Sequence, residues 1–115
     1  MLTFLVQVSY TSNAWNALIR DPQNRLDIMR PIVANLGGKV ESAFLAFGDY
    51  DVVAILQMPD NVSAAALSMA MMAGGGVKNV KTVALMTWNE GVEAMRMAKN
   101  AAYRPPKLDP MLDRT

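Results

Sequence analysis

The segment 46–58 limits the possible folds of this chain more than any other. It reads Ala-Phe-Gly-Asp-Tyr-Asp and then continues with five consecutive apolar residues. The apolar residues on both sides of Gly48-Asp49 predict two strands joined by a turn, over residues 39–47 and 51–58. The second of these strands is apolar on both of its faces, so we expect other elements to cover both faces.

Composition excludes several classes of function. The chain has 115 residues, enough for one domain, with 52% apolar and 18% charged residues, which indicates that another subunit covers part of the surface. Its net charge of +1 comes from scattered basic residues, so we expect no nucleic-acid partner. The sequence contains neither His nor Cys, which removes the usual general base, the thiolate nucleophile and the commonest metal ligands. We therefore predict no metal and no cofactor.

The first residues do not indicate secretion or membrane insertion. Residues 1–8 are apolar but lack the basic segment with which a secretory signal begins. No apolar run approaches the roughly 20 residues that a membrane-spanning helix needs. We predict a cytoplasmic protein with no membrane partner.

Periodicity and turn residues predict the order of the elements. In chain order they are a strand, a short helical turn, a longer helix, the two strands above, a helix, a strand and a final helix: residues 2–8, the turn around Trp15, 23–36, 39–47, 51–58, 62–73, 77–88 and 90–102. This β-α-β-β-α-β order with an added C-terminal helix is the ferredoxin-like α+β pattern, an antiparallel four-stranded sheet with helices on one face. We predict a single domain over residues 1–103 and an extended or disordered proline-containing tail over 104–115.

The other face of such a sheet also has to be covered. Because the strand over 51–58 is apolar on both sides, an open face would expose a large apolar patch. Packing the same face of a second subunit against it would produce a dimeric α/β barrel. We predict a homodimer or a higher even oligomer.

Several short motifs resemble those of the GYD family. They are Gly-Asp-Tyr-Asp-Val-Val at 48–53, Gly-Gly-Lys-Val at 37–40, and Pro-Asp at 59–60. The resemblance covers residues 1–88 and implies membership of the dimeric α/β barrel superfamily. It implies no particular chemistry, because that family has no established function.

The hairpin joint supplies the candidate ligand-binding residues Tyr50, Asp49 and Asp51, and Trp15 is a fourth candidate. If the strand began at Asp49, both carboxylates would share a face and could share a proton or hold a divalent cation. In the favoured, structural interpretation, Asp49 shapes the turn and Asp51 forms hydrogen bonds with backbone amides at the end of the hairpin. Tyr50 could orient a ligand or form a cross-strand contact, and Trp15 could line a pocket or pack against the helices.

Three glycines have predicted structural roles. Gly48 is expected to adopt a conformation that a β-carbon disfavours, because two strands meet in a very short connection. Gly37 and Gly38 are expected to end the preceding helix in a left-handed conformation.

Two functions are compatible with these features. The favoured one is a homo-oligomeric α/β-barrel module, without catalysis, that could bind a small apolar or aromatic molecule. The alternative is a cofactor-independent monooxygenase-like or isomerase-like enzyme that uses a carboxylate and a tyrosine. A deep pocket containing Tyr50 and a desolvated carboxylate would favour the enzyme.

Overall fold

The structure, a computed structural model, describes residues 1–107 and contains four strands and four helices within them. In chain order these elements are β1 (Leu2–Tyr10), α1 (Ser12–Arg20), α2 (Arg25–Asn35), β2 (Lys39–Leu45), β3 (Val52–Met58), α3 (Asn61–Ala73), β4 (Val77–Leu85) and α4 (Trp88–Lys99). The sheet has the order β2-β3-β1-β4 and every neighbouring pair is antiparallel. The predicted α+β, ferredoxin-like fold class is confirmed.

The chain divides into two compact units, residues 1–85 and 86–115. The first unit contains the whole sheet with α1, α2 and α3, and the second contains α4. Of the predicted tail, residues 104–107 have no regular secondary structure and residues 108–115 lie outside the described residues. The prediction of a single domain over 1–103 stays a prediction.

Strand β1 lies in the middle of the sheet because it alternates apolar residues over its whole length. Phe4, Val6 and Val8 are each 5% exposed and face the helices, as the alternation predicts. Phe4 pairs with Leu56 of β3 on one side and Ala84 of β4 on the other. The side of the sheet that carries these three residues therefore forms part of the hydrophobic core.

The helices complete this core from one side. Val33 of α2 and Leu67 of α3 are each 2% exposed, and Met58 at the end of β3 is fully buried. Burying a side chain of this size stabilises the fold by about 1.5–3 kcal/mol. The other buried members of the cluster are Phe4, Val6, Val8, Val40, Ala54, Leu56 and Ala64.

The connection between α2 and β2 depends on two adjacent glycines. The expected left-handed conformation, which follows many helix C-termini, is found at Gly37, whose φ is +81°, but not at Gly38, for which the expectation is wrong. Gly38 lies against β3 so closely that a β-carbon there would be 2.7 Å from the carbonyl oxygen of Gln57 and would also collide with the Met58 sulfur. Only glycine fits without displacing the end of β3.

The connection between β2 and β3 differs from the expected tight turn. It spans six residues, 46–51, and is closed by a hydrogen bond of 2.7 Å from the Ala46 N–H to the Asp51 carbonyl oxygen. The expectation for Gly48 is wrong: its backbone is not left-handed, and a β-carbon there would have no neighbour within 4 Å. A six-residue loop has enough freedom to avoid strained backbone at any one position.

The condition under which Asp49 and Asp51 would share a face of a strand is not met. Strand β3 begins at Val52, so Asp49 and Asp51 both lie in the loop and the period-two alternation of a strand does not apply to them.

Near the other end of the chain, β4 ends at Leu85 and Trp88 starts α4 instead of ending the strand. Thr87 and Glu90 form a capping box there, with bonds of 3.1 and 2.9 Å, which starts the helix two residues before the predicted position.

The face of the sheet opposite the core is here called the open sheet face. Within residues 1–85, the helices place their buried residues on the core side only. The central residues of the open sheet face are half-buried and apolar: Leu5 of β1 is opposite Ile55 of β3 and Val83 of β4, and Val53 of β3 lies in the next row, opposite Gln7. Phe44 of β2 is opposite Val53 and is 69% exposed. These five apolar residues are called the apolar strip, and the same registers place polar residues beside them, namely Gln7, Lys81 and Ser42.

Candidate functional site

The Asp51 carboxylate completes the hydrogen bonding of β1. Val8 is opposite Val52, the first residue of β3, so Tyr10 lies beyond the end of that partner strand. Asp51 Oδ2 accepts a hydrogen bond of 2.8 Å from the Tyr10 N–H, and the Asp51 N–H donates to the Val8 carbonyl oxygen at 2.8 Å. Asp51 therefore substitutes for the missing strand residue.

Tyr10 and Trp15 form an aromatic pair beside this carboxylate. Their ring centroids are 5.3 Å apart and the rings are nearly perpendicular, an edge-to-face arrangement. Burial raises the pKa of the Tyr10 phenol, the positive charge of Arg25 partly opposes the rise, and the negative charge of Asp51 adds to it. Two of the four candidate residues, Trp15 and Asp51, are thus brought together around Tyr10.

The other two candidates lie outside this group of contacts. Asp49 is exposed, and the bond recorded for it uses its backbone carbonyl oxygen, which accepts from Ser9 Oγ at 3.2 Å. Tyr50 is half-buried, and no hydrogen bond of its side chain is found within residues 1–107. A ligand-binding role for these residues stays a prediction.

Tyr10 and Arg25 were missed by the sequence analysis as members of this cluster. A signal for Tyr10 existed, because it continues the alternation of Phe4, Val6 and Val8 and packs against the core. No comparable signal existed for Arg25, because the interruption at Asp21-Pro22 separates its helix from β1 and hides their proximity.

A surface depression that is open to solvent lies elsewhere, between α3 and β4, and is called here the α3–β4 groove. Its volume is about 450 Å³, and its lining comes from β1, α3 and β4: Phe4, Asn61, Ala64, Ala65, Ser68, Met69, Val80, Thr82 and Ala84. Ser68 Oγ and Thr82 Oγ1 are 2.9 Å apart across it. The groove has apolar walls and a small number of polar groups, which is the usual composition of a ligand site.

Residues 1–107 contain neither a metal-binding cluster nor a membrane-spanning helix. Within residues 1–107, His, Cys, Asp and Glu side chains do not gather in groups of three or more that could hold a metal ion. In the same part of the chain no helix has both the length and the apolar character needed to cross a bilayer.

The fold and the loop at 46–51 define a class of protein: a small ferredoxin-like α+β domain whose sheet, within residues 1–85, carries helices on one face. Comparison with known families identifies a family. The chain belongs to the GYD domain family, whose sequence pattern matches residues 4–95. The match confirms the resemblance seen in the motifs and extends beyond residue 88 into α4. No curated protein matches the chain.

Proposed function

We propose that this protein is a homodimeric binding module in which the open sheet faces of two copies pack together as an α/β barrel. The observation that carries the proposal is the apolar strip across the open sheet face. A helix layer covers the core side of the same sheet, so a partner is needed on one side only. A small apolar or aromatic molecule is the class of ligand that such a module would bind.

The contiguous part of the apolar strip is the row formed by Leu5 and its two cross-strand partners. Leu5 is directly opposite Ile55 on one neighbouring strand and Val83 on the other. Cross-strand partners point to the same face, so these three side chains form one contiguous apolar surface. A contiguous apolar surface of this kind is typical of a protein interface.

Polar residues lie along one side of the row of Leu5, Ile55 and Val83. Gln57 Nε2 donates to Thr3 Oγ1 at 2.9 Å and to Glu41 Oε2 at 3.3 Å. An apolar centre with a hydrogen-bonded polar margin is the usual composition of a protein–protein interface. A two-fold axis would place this surface against its own copy and remove about 800 Å² from each partner.

Phe44→Glu tests the dimer with little risk to the fold, because the Phe44 side chain is already largely exposed in one chain. We expect the parent protein to sediment at twice 12.5 kDa at micromolar concentration. The variant should dissociate about 10- to 100-fold more readily, because it places a charge in a desolvated interface. Val62→Glu is the matched control: Val62 is 78% exposed on α3, and its variant should remain dimeric. A parent protein that remains monomeric contradicts the proposal.

The enzyme alternative has less support, because the two carboxylates of the hairpin joint lack the environment that it requires. Asp51 is engaged by the Tyr10 N–H, and Asp49 is exposed. A general base of this type would need a desolvated carboxylate within reach of a substrate.

A further inference from the structure

We propose that the α3–β4 groove binds an uncharged aromatic molecule that carries one hydroxyl group. The inference rests on the binding role proposed above and specifies both its location and its ligand class. The groove is on the core side of the sheet, because Thr82 is paired with Val6 and Ala84 with Phe4, two residues that face the core. A ligand in the groove would therefore leave the open sheet face free for the second copy.

The space in the groove results from short side chains on its two sides. Ala64 and Ala65 line it from α3, and Val80 and Ala84 line it from β4. Short side chains on both sides leave a volume of about 450 Å³, within the range of about 300–1,000 Å³ found for small-molecule sites. A flat ring suits a space bounded by a helix on one side and a strand on the other.

The lining favours a neutral ligand. None of the nine lining residues is titratable, so the groove offers no opposite charge to an ion. Moving an unpaired charge from water into apolar surroundings is strongly unfavourable. Phe4 and Met69 add an aromatic and a polarisable contact, which favour an aromatic ring over a purely aliphatic molecule.

The two hydroxyl groups indicate which polar group the ligand carries. Ser68 Oγ donates to the Ala64 carbonyl oxygen at 3.4 Å, so the bond between Ser68 and Thr82 uses the Thr82 proton. Both protons are then used, and lone pairs remain on the two oxygens. The pair can therefore accept a hydrogen bond from a ligand. A phenolic hydroxyl combines this donor with an aromatic ring.

The test uses two isomeric probes, para-ethylphenol and para-methylanisole, which have the same formula but differ in the presence of an O–H donor. Titration of methyl-labelled protein should shift the signals of Ala64, Ala65 and Met69, with para-ethylphenol binding more tightly. Thr82→Val removes a hydroxyl with little change in shape. It should weaken para-ethylphenol binding about 3- to 10-fold and change para-methylanisole binding by less than about 2-fold.

Ala65→Phe fills the groove and should abolish binding of both probes. Ala70→Phe is its matched control, because Ala70 is exposed on the same helix and does not line the groove. The inference is overturned if the two isomers bind equally, if neither binds at millimolar concentration, or if Ala65→Phe binds as the parent does.

The same titration separates this inference from the proposed dimer. If the probes shift the signals of Leu5 and Ile55 instead of those of the groove methyl groups, the ligand binds between the two sheets. The groove assignment is then wrong, but the proposed binding module is not contradicted. Phe44→Glu should bind para-ethylphenol as the parent does. Sedimentation of Ala65→Phe should match the parent, because its substitution lies away from the open sheet face.

Discussion

Gly38 and Gly48 lie at the two ends of the β2 region, in very different surroundings. At Gly38 the backbone of β3 approaches so closely that the Gln57 carbonyl oxygen occupies part of the space of a β-carbon. At Gly48 the surroundings are open. The sequence alone shows glycine at both positions, and only the packing distinguishes a required glycine from a tolerated one.

Gly38→Ala should therefore destabilise the protein by about 1–3 kcal/mol, because the β-carbon forces the end of β3 to move. Gly48→Ala is the matched control and should change the free energy of unfolding by less than about 0.5 kcal/mol. Urea denaturation of both variants measures the difference. Equal stabilities would show that the contact between Gly38 and β3 is absent.

Asp51 has a structural role that can be separated from any ligand role. Asp51→Ala leaves the Tyr10 N–H without its acceptor and should lower the free energy of unfolding by about 0.5–1.5 kcal/mol. Asp51→Asn keeps an acceptor oxygen and should retain most of the stability. Asp49→Ala, at an exposed position, should have almost no effect on thermal unfolding. A parent-like Asp51→Ala variant would exclude the structural role.

At the scale of elements, local patterns in the sequence predict the helices and strands well, while long-range contacts decide the loops. The alternation in β1 is complete within the strand, so its buried face could be predicted. The loop 46–51 instead depends on Val8 and Tyr10, about forty residues away in the sequence, which no local pattern reveals. For the same reason, the sequence analysis did not predict that Tyr10 and Arg25 lie beside Trp15 and Asp51. The apolar pattern of β4 predicts a strand that continues to Trp88, whereas the Thr87–Glu90 capping box starts α4 at that residue.

Helix α3 begins with a capping box that makes its stability depend on pH. Asp60 accepts a hydrogen bond of 2.8 Å from the Ser63 N–H, and this bond lowers the pKa of Asp60 below its ordinary value of 3.8. A lowered pKa in the folded state means that the stabilisation is present above the unfolded value and is lost as the pH falls through the folded value.

Asp60→Ala should consequently lower the melting temperature at neutral pH, because the helix loses its N-cap. The difference from the parent should shrink as the pH falls below about 3.8, where protonation weakens the cap in the parent as well. Asp27→Ala is a control within the first turn of α2. A difference that stays constant from neutral to acidic pH would contradict the capping role of the Asp60 carboxylate.

At the scale of the whole molecule, the two proposals assign separate tasks to the two faces of the sheet. The core side carries the helices of the first unit and the α3–β4 groove, while the opposite side has the apolar strip across all four strands. This separation allows assembly and ligand binding to be changed independently, as the experiments on Phe44 and Thr82 require. The family match over residues 4–95 includes β2, β3 and β4 completely and all but the first two residues of β1.

The central position of β1 also affects how the chain is made. β1 precedes both of its neighbours in the sequence, since Leu2 pairs with Met58, and Thr3 pairs with both Gln57 and Leu85. Its apolar residues therefore have no partner strand until β3 has been synthesised, and no second partner until β4 has been. Pairing over such long sequence separations slows folding and prolongs the exposure of aggregation-prone segments. The nascent chain would benefit from a chaperone that binds its N-terminal segment until β3 and β4 have emerged.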